Sequence, residues 1–123
     1  VSGQTLIGTD NPECAYYTIP GVSGLAFMVT NGRIARIDIT DKSPLTTLSG
    51  AKIGDSESRI KALYPGQIRV ETHKYDRQGH YLIFVPKDAV DKDYRLIFET
   101  DGKVVTRWRV GRLPAVEWVE GCS

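Results

Sequence analysis

The densest group of chemistry-bearing side chains is the stretch "HKYDRQGH", which sets His73, Asp76 and His80 close together. Two imidazoles and a carboxylate ligate zinc when a loop folds so that all three converge. The same letters also describe a strand, a polar turn at "DRQG" and a second strand, with His73 and His80 facing each other across a hairpin and holding no ligand. Ser56, in "GDSES", is the one serine that invites a nucleophilic reading. An activated serine needs a histidine base and a carboxylate to orient it. The chain offers no G-x-S-x-G elbow and no downstream Asp-x-x-His pair, and a serine ahead of an amphipathic segment is explained as a helix cap. Asp88, Asp91 and Asp93 in "DAVDKD" lack the central glycine and the alternation of a calcium loop and read as a solvated turn. The expectation is therefore no catalytic residue, no metal and no cofactor.

Arg107 and Arg109 alternate with Thr106, Trp108 and Val110, so the tryptophan side is expected in the core and both arginines in solvent, where they could grip an acidic partner. With His73 and His80 they complete the candidate binding residues. Tyr16, Tyr17, Trp108 and Trp118 could form a platform for a carbohydrate or peptide, although at strand spacing such aromatics serve as core or cross-strand partners.

The elements that must position these residues come from a pattern written twice. "CAYYTIP" aligns with "HYLIFVP", Pro20 on Pro86, and "FMVTNGRIARIDI" aligns with "IFETDGKVVTRWRV", Asn31-Gly32 on Asp101-Gly102. Both dipeptides tolerate the positive φ of a type I′ turn, so each copy reads as a strand, a loop and a two-stranded hairpin. "SPLTTLSG" then falls over "LPAVEWVEG" as a closing edge strand. Between the copies Ser56 caps a short helix over 56–64, with Glu57 in its first turn, Ile60, Leu63 and Tyr64 on one face, and Pro65-Gly66 as its stop. "QIRVETHKY" follows as a strand. The expected fold is α+β: a single domain over 1–123, an antiparallel sheet of two tandem strand-hairpin repeats (1–50 and 51–123), with the helix packed on one face and a polar opposite face.

A chain of 123 residues with 41% hydrophobic and 25% charged residues suits one globular unit. The formal net charge of +1, from 16 basic and 15 acidic side chains, selects neither nucleic acid nor anionic membrane. No apolar run reaches the roughly 18 residues of a membrane span. Cys14 and Cys122 are the only cysteines. In an exported protein such a pair forms a bridge, and in the cytosol it remains two thiols; Cys122 sits in the polar tail "EGCS", where a thiol has no core to enter, so a bridge is expected.

The segment "GAKIGDSESRIKALYPG" followed by strands ending in "DGKVV" resembles the repeat unit of the β-lactamase-inhibitor-protein type of domain and of the small lipoprotein of the outer-membrane barrel-assembly machinery. "HKYDRQGHYLIFVP" and "GRLPAVEWVEGC" are similar to small exported bacterial proteins of unassigned function. The resemblance implies a periplasmic or secreted bacterial protein that works by protein–protein contact, as an inhibitor or an assembly module, with an envelope protein as partner and with monomer or homodimer as its own state; it transfers no site residue. The competing expectation is a small hydrolase or metal-dependent enzyme using His73, Asp76, His80 or Ser56. Alignment of the copies places Gln67 opposite roughly Val1, so the first copy lacks a helix; an upstream segment, preceded by a signal peptide, is expected to supply it, with a partner or second chain as the alternative cover of the apolar face.

Overall fold

The computed structural model describes residues 5–7 and 14–122. Eight strands form one antiparallel sheet: β1 (Thr5–Ile7), β2 (Cys14–Thr18), β3 (Leu25–Thr30), β4 (Arg33–Ile39), β5 (Ile68–Thr72), β6 (His80–Phe84), β7 (Tyr94–Thr100) and β8 (Val105–Arg112). Their spatial order is β1-β2-β3-β4-β8-β7-β6-β5. Two four-stranded meanders thus join edge to edge through β4 and β8, where Arg36, Ile37, Asp38 and Ile39 pair with Gly111, Val110, Arg109 and Trp108. The counterpart expected for Gln67 near Val1 lies outside the described residues.

The α-helix α1 (Glu57–Leu63) forms where the spacing places it, because both ends are satisfied locally. The Ser56 hydroxyl accepts the Arg59 amide at 3.1 Å, and Tyr64 closes the last turn onto the Ile60 carbonyl. Ile60 is wholly buried, and Tyr64 packs on Phe84 and Phe98 with ring centroids 4.9 and 6.1 Å away. The main core lies beneath α1, with Leu82, Phe98, Val105 and Trp108 contributed by the second meander and Ile39 by the first.

The Asn31-Gly32 turn has positive φ at both residues, 50° and 80°, as a type I′ turn demands. Asp101-Gly102 differs from that expectation. The Asp101 carboxylate accepts the amides of Lys103 and Val104, at 2.9 and 3.0 Å, and so closes a longer four-residue loop.

The tail also departs from the sequence reading. Residues 113–122 form no edge strand; they cross the sheet face opposite α1, with a 3-10 turn at Ala115–Glu117. Val116 is fully buried there against Tyr81, Ile83 and Ile97. Cys122 is joined to Cys14 by a disulfide, which ties the tail to the start of β2 beside Met28 and Ala115. The face expected to be polar is therefore a second, smaller interior. Among the described residues no helix is long and apolar enough to cross a membrane.

Candidate functional site

The tail explains why Arg109 is not a solvent charge. The residue is 4% exposed, and its guanidinium donates Nε–H to the Val116 carbonyl at 2.6 Å and pairs through Nη1 with Glu99. Arg36 does the same work in the other meander, donating Nη1 to the Ala115 and Trp118 carbonyls at 2.9 and 2.7 Å while its Nε and Nη2 hold Asp38. Both arginines are thus hooks for the tail backbone, and of the two expected at the surface only Arg107 is exposed.

His73 and His80 are not cross-strand partners; Thr72 is the residue opposite His80. His73 lies on the tail face, stacked on Tyr81. Its Nδ1 accepts the amides of Tyr75 and Asp76, at 3.0 and 3.1 Å, which assigns the proton to Nε2, and that N–H donates to Glu99 at 2.8 Å. Neither ring nitrogen has a lone pair left for a metal or a substrate proton. His80 belongs to the opposite side, where its Nδ1 meets Glu57 at 2.8 Å and the Thr100 hydroxyl donates to the same carboxylate oxygen. Burial opposes ionisation of Glu57, but the hydrogen bonds from Thr100 and His80, with the charges of His80 and Lys61, outweigh it and hold the carboxyl below its ordinary range. Asp76 accepts the Gln78 amide within its own turn, and Ser56 is occupied as the helix cap with Ser58 beside it. The structure does not bring His73, Asp76, His80 and Ser56 into one site, and among the described residues no group of three or more acidic, histidine or cysteine side chains is set to hold a metal. Asp88 caps the short turn Ala89–Asp91. Tyr16 and Tyr17 point to opposite faces, so the four aromatics form no shared platform.

What the fold does assemble is an apolar strip across the helix side of the sheet. Cross-strand pairing aligns Tyr17, Phe27, Ile37, Val110, Leu96, Phe84 and Ile68 in a single row, and Ala15, Val29 and Ile34 form a second row in the first meander. Ile68, Phe84, Leu96 and Val110 of the row pack against the main core beneath α1, and so does Ile37 from β4. In the first meander, among the described residues, Tyr17 and Phe27 pack into none of the three apolar clusters, and Ile34 is 50% exposed. The strip runs on into a groove of about 700 Å³ whose walls include Tyr64, Phe84, Leu96, Trp108 and Val110. Leu48 stands at its lip with its side chain fully in solvent. Of the polar groups nearby, the Thr47 and Tyr64 hydroxyls bond each other at 2.6 Å and Gln67 donates to the Val85 carbonyl, whereas Arg95 Nε and Trp108 Nε1 are buried with no hydrogen-bond partner among the described residues. The groove thus combines apolar contact area with two unpaired buried donors.

Sequence reasoning named Tyr17 only within an aromatic platform that the fold does not form, and did not single out its cross-strand partner Phe27. The available signal was the apolar alternation of the first hairpin, combined with the shortness of the single helix. Comparison with protein-family models, with curated proteins and with solved structures finds no match to this chain.

Proposed function

We infer that the chain is an exported bacterial envelope protein, periplasmic or secreted, that acts by protein–protein contact, as an inhibitor or an assembly module. The observation carrying this reading is the cross-strand pair Tyr17–Phe27, which joins none of the apolar clusters among the described residues, with the exposed Ile34 on the same face. Large exposed apolar surface is costly in water and is retained where a partner buries it. The disulfide fits an oxidising compartment. The duplication reading is supported by the strand order, since β1 to β4 and β5 to β8 are two four-stranded meanders with Pro20 and Pro86 following the second strand of each, while the Asn31-Gly32 and Asp101-Gly102 turns differ.

The test is a pull-down from envelope extract with the purified, oxidised chain, repeated with Phe27→Asp and with His80→Ala. A binder of this kind retains a partner that Phe27→Asp loses and His80→Ala keeps. A hydrolytic or metal-dependent activity abolished by His80→Ala would overturn the reading.

A further inference from the structure

We propose that the groove beside α1 binds a small amphipathic acid, an elongated apolar molecule with a carboxylate at one end and a hydroxyl or carbonyl oxygen toward the other. The site shares no residue with the Tyr17–Phe27 pair and does not depend on it. A groove of about 700 Å³ walled by Tyr64, Phe84, Leu96 and Trp108 has the size and the aromatic, apolar lining of a small-molecule site, in which a few fixed polar groups set the orientation. Here those groups are two donors that lack acceptors.

Trp108 is the first. The residue is 6% exposed, and its indole N–H has no hydrogen-bond partner among the described residues. Buried donors left unpaired are rare in folded proteins, and a neutral oxygen laid on the groove floor would take this hydrogen. Arg95 is the second. Its Nη1 donates to the Lys92 and Tyr94 carbonyls at 2.8 and 2.7 Å, which fixes the guanidinium at the loop between β6 and β7, while its Nε is buried and unpaired. Arg36, Arg59, Arg69 and Arg109 each pair with a carboxylate, whereas among the described residues none pairs with Arg95. Lys87, Asp88 and Asp91 line the groove from the same loop, and Asp88 is occupied in accepting the Val90 amide. A carboxylate on the ligand is the group that matches the guanidinium in both charge and hydrogen bonding. Spacing then sets the length of the molecule. Trp108 pairs with Phe98, and Arg95 to Phe98 spans about 10 Å of β7. One carboxylate does not serve both donors, so the molecule carries two acceptors joined by an apolar chain lying over Leu96 and Val110. Leu48, fully in solvent at the lip, gains apolar contact when that chain is seated.

The experiment is isothermal titration calorimetry of the oxidised chain with ω-hydroxydecanoate, with decanoate, which lacks the hydroxyl, and with the corresponding α,ω-diol, which lacks the carboxylate. The hydroxy acid is expected to bind saturably, one molecule per chain, and about tenfold or more tighter than either analogue, the usual worth of one buried hydrogen bond. Leu48→Asp should weaken it by about tenfold with the thermal midpoint unchanged, since that side chain touches solvent alone, and Val22→Asp, on the exposed loop after β2, should leave it intact. Trp108→Phe should lower the hydroxy acid to the level of decanoate, and Arg95→Gln should lower it to the level of the diol. Equal binding of the hydroxy acid and either analogue, no saturable binding, or binding that Leu48→Asp leaves intact overturns the proposal. So does a folded Trp108→Phe protein that still prefers the hydroxy acid to decanoate, or a folded Arg95→Gln protein that still prefers it to the diol. Should either of these two variants fail to fold, the ligand series on the unaltered chain and Leu48→Asp decide the matter.

Discussion

Gly111 lies directly across the β4–β8 pair from Arg36, and any side chain there would collide with it. A Cβ at Gly111 would sit 2.6 Å from the Arg36 Cα and 2.5 Å from the Ala35 carbonyl oxygen, both backbone atoms. The glycine is what allows the seam between the meanders to close while Arg36 reaches the tail. Gly111→Ala is expected to cost about 1–3 kcal/mol, the usual range for forcing extra atoms into a packed interior. Urea denaturation checks it, and a loss below about 0.5 kcal/mol would show that the seam has slack.

The Glu99 carboxylate is shared between His73 and Arg109 beneath the tail. Truncation by Glu99→Ala leaves a buried guanidinium without a counter-charge, for an expected loss of about 3–5 kcal/mol. The double variant Glu99→Leu/Arg109→Met should be more stable than Glu99→Ala, since it removes both charges together. Chemical denaturation of the three proteins decides the point; a double variant no better than the single would mean that Arg109 acts chiefly by holding Val116.

The Cys14–Cys122 bridge closes a loop with a sequence separation of 108. In the chain-entropy model a loop of about 100 residues is worth on the order of 4.7 kcal/mol, and measured values usually fall lower. No reactive thiol should be found in the denatured, unreduced protein. Cys122→Ala should lower stability by about 2–5 kcal/mol and raise amide exchange in the tail before it affects α1.

Two carboxylates pull the pH dependence in opposite directions. Glu57 titrates below its ordinary value in the folded state, so the stability it contributes is complete above about pH 4.5 and is lost as pH falls through the folded value. Asp38 is pushed up by burial, against the pull of Arg36, so its contribution is complete below about pH 4 and is lost as pH rises through the folded value. Glu57→Gln should flatten the acid side of the stability profile, whereas Asp38→Asn should flatten the part that declines on going up from about pH 4. Thermal midpoints between pH 3 and 7 test both; an acid limb unchanged by Glu57→Gln would remove that carboxylate from the account.

The legible parts of this fold are those in which neighbours in sequence settle one another. Ser56, Ile60 and Tyr64 make α1 by contacts within a few residues, and Asn31-Gly32 makes its turn alone. Arg109 was misleading because alternation reveals which face a residue occupies but not what covers that face, and the cover is a tail whose seat depends on a distant strand. The tail itself alternates well enough to pass for a strand, yet its carbonyls go to arginine side chains instead of a neighbouring ladder. Glu57 looked like a helix-dipole residue and is also the partner of His80 and Thr100, a relationship created only when β6 and β7 pass beneath the helix start. Which apolar residues of the first meander share the helix side was not legible, because that depends on the register of β2, β3 and β4.

The β4–β8 seam also bears on how quickly the chain can find its shape. Each meander forms from strands that follow one another closely, so its contacts are local, whereas Ile39 and Trp108 must meet across more than half the chain. Contacts of that kind are slow to form because closure entropy is spent before they stabilise anything. Folding is thus expected to run in two tempos, quick assembly of the halves and then a slower docking that unites them. Phe98→Leu, within the second meander, should alter the first tempo, and Ile39→Val, on the seam, the second; stopped-flow refolding with both variants slowing the same phase would contradict that division.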